Sequence, residues 1–378
     1  MSPRLSLPPL ALLLAACSTT QAIHAEEPPT RTSAPRGGRF VLADAAEGRA
    51  VLGARDEFIA ALGPFDRGGR LETDREVSEQ ELLAFVGAQA LDWPASDARL
   101  ATAATRQLEE RLAEVVPGLP GLDRVALVRT TGREEGGAPH TRGHAIVLPA
   151  GELEHTDARR LAGLLAHETF HVLSRHLRAS DPAAVDALYA LVGFEDVGEV
   201  ELPPDIAPLR VTNPDAPTRR HAIEITLADG ARARVVPVLY APSGYDPAVG
   251  GPFFRHMALR LMEVVPGHGA RLDEAGHAVS YDLAGTSYGA QAALNTELAI
   301  HPEEVLADNF ANLLFGFDDV AHPELLVALR EQLIRIAADS SRGAAPPSPT
   351  AAKPGPNPIP SPTALRTFGP EPPRGAPG

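Results

Sequence analysis

Residues 167–171 read His-Glu-Thr-Phe-His, the run of side chains in this chain best equipped for chemistry. On a helix, positions four apart project from nearly one face, so the imidazoles of His167 and His171 can grip a single metal ion with Glu168 beside it. Two histidines and a carboxylate base make up most of a hydrolytic zinc site, in which the metal acidifies a water and the carboxylate takes its proton. Cys17 is the only cysteine. Any zinc must therefore use histidine and carboxylate ligands, which favours a catalytic site over an all-cysteine structural one.

The helix that would carry these residues is legible. No proline interrupts Asp157 to Arg178; Thr156 reads as its N-cap, and Leu161, Leu164, Leu165, Val172, Leu173 and Leu177 recur at helical spacing. The apolar stretch 161–166 predicts burial, where unpaired polar groups are costly and a metal is an economical partner. Upstream, helices are expected over 76–90 and 97–115, followed by strands at 124–129 and 144–148. Helices, strands, and then a metal-gripping helix after an apolar strand: this order resembles the zincin metallopeptidases. The resemblance implies an α+β, zincin-like metallopeptidase domain. It also implies that Gly143–Leu148 is an edge strand that pairs with an extended peptide.

A catalytic zinc needs a third protein ligand. His176 lies five residues past His171, turned about 140° from it, and with Arg175 and Arg178 suits the negative end of the helix dipole. Glu195 and Glu199 sit in loop-like sequence and read as solvated carboxylates. Gly285 to Gly289 faintly resembles the aspzincin signature but lacks its aspartate, Asp282 lying before it. The strongest candidate is the stretch His301 to Phe310. Pro302 is a natural first helical residue, the Glu303-Glu304 pair suits a first turn, and Glu304 shares a face with Asp308. Glu304-x-x-Ala307-Asp308 resembles the second motif of the gluzincin group, Glu-x-x-x-Asp. That likeness implies Glu304 as the third zinc ligand and Asp308 as the group that fixes the tautomer of a ligand histidine. Glu303 would replace Glu304 were the helix turned by one residue. Tyr288, Tyr281 and His277 precede this helix and are candidates to stabilise an oxyanion.

The long interval between His171 and Glu304 implies an inserted β-rich region between 205 and 283. Before it, Ser180-Asp181-Pro182 starts a helix that runs to Val192 and stops at Gly193. Within it, His221–Leu227 and Ala231–Tyr240 read as a hairpin turning at Ala228-Asp229-Gly230.

The whole chain sets the outer bounds. Its 378 residues are 44% hydrophobic, enough for a substantial core, and a net charge of −15 disfavours nucleic acid as a partner. Arg4, the short apolar run Leu10–Ala16 and Leu14-Ala15-Ala16-Cys17 together resemble a bacterial lipobox. This implies a signal peptide over 1–16 and a lipid on Cys17; the apolar run is too short to span a bilayer. Ser18 implies sorting to an outer membrane. Residues 17–38 read as a flexible tether, 341–378 as a disordered Pro-rich tail, and 39–340 as the folded region. The expectation is a zinc peptidase, lipid-anchored in the bacterial envelope and facing the periplasm, acting on peptides or proteins. The alternatives are a lipid-anchored scaffold with a structural or vestigial zinc, and a zinc hydrolase of a non-peptide envelope amide.

Overall fold

The computed structural model describes residues 38–316 and 320–343, so the expected signal peptide, Cys17 and nearly all of the tether and tail lie outside it. The amino-terminal part runs β1 (Phe40–Leu42), α1 (Ala45–Leu52), α2 (Glu57–Ala61), α3 (Pro64–Arg70), α4 (Glu79–Gly87), β2 (Ala90–Leu91) and α5 (Ala95–Val115). It continues through β3 (Val125–Thr130), β4 (His140–Arg142), β5 (Ala145–Pro149), α6 (Ala150–Glu154), α7 (Ala158–Ser180) and α8 (Pro182–Tyr189). Then come β6 (Phe194–Asp196), β7 (His221–Thr226), β8 (Arg232–Tyr240), β9 (Ala258–Val265), β10 (Gly269–Ala270) and β11 (Ser280–Tyr281). Three helices close the described chain: α9 (Tyr288–Ala292), α10 (Pro302–Phe315) and α11 (Pro323–Gly343). Helices and sheets are mixed, as expected for an α+β protein. None of the described helices is long and apolar enough to cross a membrane.

Two sheets flank the helices. The first is ordered β1-β3-β5-β4, with β1 and β5 parallel to β3, β4 antiparallel to β5, and β2 attached to β3. The second is antiparallel, ordered β10-β9-β8-β7-β6 with β11 also on β9. This β-rich region begins at β6, earlier than the sequence suggested. Its β7–β8 hairpin closes with Leu227 N–H donating to Ala231 O at 2.8 Å, and Gly230 supplies the positive φ of 84° that the turn needs.

α7 runs through the middle of the largest apolar cluster. Leu161, Leu165, Phe170, Leu173 and Leu177 are buried there beside Leu108, Ala101 and Ala104 of α5, and the two alanines let the helices approach closely. Phe170 meets Phe310 of α10 at 5.7 Å between ring centroids. Each such ring or leucine buried contributes roughly 1.5–3 kcal/mol, so α7 is locked in orientation before any polar contact is counted.

Some expectations are corrected. The N-cap of α7 is Asp157, whose carboxylate accepts from Arg159 and Arg160 N–H, rather than Thr156. A carboxylate at the positive end of the helix dipole outcompetes the neighbouring hydroxyl. The strand expected at the sheet edge, β5, is interior; β4 forms the edge, joined to β5 by a turn in which Gly143 takes a φ of 57°. The helix expected to reach Val192 ends at Tyr189 and finishes with one 3₁₀ turn, Ala190–Val192. α11 extends to Gly343, so residues 341–343 of the expected tail are helical.

β4 also makes stability depend on pH. His140 is 2% exposed, and burial, with Arg142 close by, lowers its pKa to about 3. Between that value and the unfolded value near 6.5 the unfolded chain binds the extra proton. Stability from this residue is therefore complete above pH 6.5 and declines as pH falls, by about 1.4 kcal/mol per pH unit. Urea unfolding from pH 6.5 down to pH 4.5 should show a slope shallower by that amount in His140→Gln; equal slopes would exclude His140 as the cause.

Candidate metal centre

Two helices present the site, and their termini are well specified. α10 begins with Pro302 at its first position, its N-cap His301 accepts the Glu303 N–H on Nδ1 at 3.1 Å, and Gly316 closes it with a φ of 58°. The Phe170–Phe310 contact turns the His167/His171 face of α7 towards the Glu303/Glu304/Asp308 face of α10. Side chains expected from separate parts of the chain thus meet.

The two imidazoles are each held by a carboxylate on Nδ1. His167 Nδ1 stands 2.8 Å from Asp308 Oδ1, and His171 Nδ1 stands 2.8 Å from Glu303 Oε1. This leaves both Nε2 atoms facing Glu304 Oε2, at 3.2 Å from His167 and 3.6 Å from His171. Donors bound about 2.0–2.2 Å from a tetrahedral zinc stand about 3.3–3.6 Å apart, so this spacing fits such an ion. Asn213 Nδ2 donates to Glu304 Oε1 at 2.6 Å, so one carboxylate oxygen is engaged and the other points at the histidines. His167, His171 and Glu304 therefore form a group able to hold a metal ion.

The electrostatics favour positive charge at the same point. Burial alone would lower the histidine pKa values, but hydrogen bonds to Asp308 and Glu304 raise His167 to about 10, and Asp215, Glu304 and Glu303 raise His171 as well. Glu304 is held well below the usual carboxylate range by the two histidines, despite its burial.

Glu303 is directed away from this point. Its carboxylate accepts from Ser174 Oγ and Tyr189 Oη as well as His171, and Arg178 lies 3.6 Å away. The fallback role as a ligand is thereby replaced by one of orienting His171. Asp308 takes the corresponding position for His167 and also accepts from Thr296 Oγ1.

Glu168 is 3% exposed, and its Oε2 has no hydrogen-bond partner. Burial and the charge of Asp215 push its pKa up to about 8. Asp215 is itself buried, with Oδ1 accepting from the Thr141 N–H at 2.8 Å and from the Thr141 hydroxyl. Glu168, Asp215 and His171 thus form a second buried group adjoining the first.

Asn213 and Asp215 belong to an irregular segment, and a buried ionic cluster fixes it. Thr212 donates to Asp66 through N–H (2.7 Å) and hydroxyl (2.8 Å), and its carbonyl accepts from Arg70 at 3.0 Å. The Arg70 guanidinium also pairs with Glu135 and lies over the rings of Phe58 (5.0 Å) and Phe253 (4.7 Å). Arg175, on the last part of α7, reaches the carbonyls of Gly143 (3.0 Å) and Pro214 (3.2 Å), clamping the β4–β5 turn and this segment to the helix. Because Asp215 caps the outward N–H of Thr141, that point of the β4 edge is already paired.

The site opens into a cleft of about 1020 Å³, lined by His167, Glu168, Asp215 and Glu304 together with apolar Phe253, Phe254, Met257 and Leu298. Other residues singled out from the sequence lie elsewhere. Tyr288 is buried and donates to Ala299 O at 2.7 Å; Tyr281 donates to Glu263; His277 is exposed in a turn beside Asp273. None of the three lines the cleft. His176 packs against Gly121 and His144, Glu195 pairs with Arg234, Glu199 with Arg219, and Asp282 with Arg260. Asn213, Asp215 and Tyr189 were not anticipated. In sequence, Thr212-Asn213-Pro214-Asp215 reads as part of a polar, proline-rich connection, and nothing local ties it to α7. No protein family, curated protein or solved structure matches this chain.

Proposed function

We propose that this chain is a zinc-dependent peptidase of the zincin type, with the Glu304 ligation seen in gluzincins, lipid-anchored through Cys17 in a bacterial envelope. The observation that carries the reading is the convergence of His167 Nε2, His171 Nε2 and Glu304 Oε2, with both Nδ1 atoms already taken by carboxylates. Two imidazoles and one carboxylate oxygen suit zinc, and a fourth position left to water is the pattern of a catalytic rather than a structural centre. When bound, zinc supplies Lewis acidity, lowering the pKa of water towards neutrality and polarising the scissile carbonyl.

The remaining work falls to the chain's own groups. Glu168, whose Oε2 is unpartnered beside the three donors, is placed to take the proton of the attacking water and return it to the leaving amine. It does so once the positive charge of a bound metal has driven off the proton it holds in the metal-free protein. Asp215 keeps that proton affinity high. Asp308 and Glu303 hold the two imidazoles in the tautomer that frees Nε2, and Asn213 holds Glu304 to one outward oxygen. The apolar wall of Phe253, Phe254 and Met257 can seat peptide side chains and exclude water from the site.

The test is hydrolysis of a mixture of unstructured peptides by zinc-loaded protein, followed by mass spectrometry. Cleavage should stop on chelation and return with zinc. Folded, zinc-loaded protein that leaves every peptide intact would overturn the proposal. A finer expectation concerns Glu303: its replacement by Ala frees His171 to rotate and should weaken zinc binding by about 10–100-fold. Competition against a chromophoric chelator measures this, and unchanged affinity would show that Glu303 does not orient the ligand.

A further inference from the structure

Behind the Val211–Asn213 wall of the cleft lies a separate small cavity of about 40 Å³, lined by Arg210, Arg219, Thr212, Asn213 and His301 among others. Such a volume exceeds the roughly 10–15 Å³ needed for a single water-sized occupant. Two of its lining residues carry buried nitrogens without a hydrogen-bond partner: Arg210 Nε and His301 Nε2. The histidine must be a donor there. Its Nδ1 accepts the Glu303 N–H, so in the neutral ring the proton resides on Nε2, and burial lowers its pKa to about 3, keeping it neutral.

Arg210 shares the Asp66 carboxylate with Arg70, and its terminal nitrogen donates to Ala61 O. Asp66 Oδ2 stands 3.7 Å from Arg210 Nε, but all four acceptor sites of that carboxylate are taken. Its Oδ1 receives Arg70 and the Thr212 N–H, and its Oδ2 receives the Gly63 N–H and the Thr212 hydroxyl. Arg219, on the other side, pairs with Glu199 at 3.4 Å through a partly exposed contact, and its Nε donates to Val200 O at 3.3 Å. Burial, reinforced by the charge of Arg210 and opposed by Glu199, lowers the Arg219 pKa. Two guanidinium groups and an unpaired imidazole N–H around one small cavity favour an acceptor that carries negative charge.

We propose that this cavity binds one small monovalent inorganic anion of chloride size, held by Arg210, Arg219 and His301. The site adjoins the metal centre without belonging to it. Asn213 lines both spaces and donates to Glu304, so a bound anion steadies the wall that positions this carboxylate.

The experiment uses the purified full chain treated with chelator, so that its outcome is independent of zinc and of peptide hydrolysis. Thermal unfolding is followed while chloride replaces gluconate at constant ionic strength, and crystals are soaked in bromide for anomalous scattering. A saturable rise in melting temperature is expected, lost in Arg219→Gln, with one bromide peak among Arg210, Arg219 and His301. Should Arg219→Gln not fold, the bromide peak in the wild-type protein decides. Equal melting in chloride and gluconate together with no bromide peak in the cavity would overturn the proposal. Displacement of bromide by an acetylated dipeptide acid, but not by its amide, would reassign the cavity to a substrate carboxylate and equally overturn the free-ion assignment.

Discussion

Glu168→Gln is expected to lower kcat for peptide hydrolysis by about 10²–10⁴-fold while leaving zinc content intact. The substitution preserves shape and removes only the ability to take and return a proton. Glu168 is not one of the three convergent donors, so the metal should still bind. Stability supplies an independent check with a definite sign. The folded-state pKa of Glu168, about 8, lies above its ordinary value of 4.5. The native protein therefore holds a proton that the unfolded chain releases, and stability from this residue falls as pH rises from about 4.5 to about 8. Glutamine is neutral throughout, so the metal-free variant should be more stable than the parent at pH 7, by roughly 1–3 kcal/mol. Urea unfolding at pH 5 and pH 7 measures this: the advantage should be larger at pH 7. Turnover within tenfold of the parent, with zinc bound, would remove Glu168 from the chemistry.

Zinc should raise the melting temperature of the chelator-treated protein by on the order of 10 °C when supplied at a thousand times its Kd. A ligand that binds only the folded state at that excess contributes about 4 kcal/mol, and for a chain of this size each kcal/mol moves the midpoint by a few degrees. Glu304→Ala deletes one of the three donors and should abolish nearly all of the rise, because His167 and His171 alone cannot hold the ion tightly. The effect should also weaken as pH falls. His167 binds its proton with a pKa of about 10 and His171 is raised as well, so zinc has to displace protons to bind. A melting temperature that zinc does not move, or moves equally in Glu304→Ala, would count against this ligand set.

Much of this centre could be read from local pattern, and the reason is that its core lies on two helices. In α7 and α10 a fixed rotation per residue converts spacing into direction, so His167/His171 and Glu304/Asp308 could be placed on shared faces from the sequence. Glu303 was harder. One residue rotates the direction by about 100°, and assigning it required knowing that α10 is enclosed on nearly every side, with Glu303 as deeply buried as Glu304. Asn213 and Asp215 were out of reach because their position depends on Asp66 and Arg70, residues that no periodicity links to them. The edge strand was misassigned for a similar reason. His140–Arg142 is too short to show alternation, and only Gly143 at its end hinted at a second strand. Tyr288, Tyr281 and His277 lie near α10 in sequence, but the intervening chain carries them away from the cleft, Tyr288 into the core.

The clamp on Thr212 has a consequence for how the chain reaches its native state. Its bonds to Arg70 and Asp66 join residues 142 and 146 positions apart, and those between His171 and Glu303 join residues 132 apart. Contacts of such separation form late, because the entropy of closing long loops must be met before they return anything. The helices can form early and individually, yet no intermediate lacking α3, the 212–215 segment or α10 would have the complete set of metal donors and their supports. Metal capture at the proposed centre would therefore be a late event in folding, and its occupancy would report that the chain from Asp66 to Asp308 has come together.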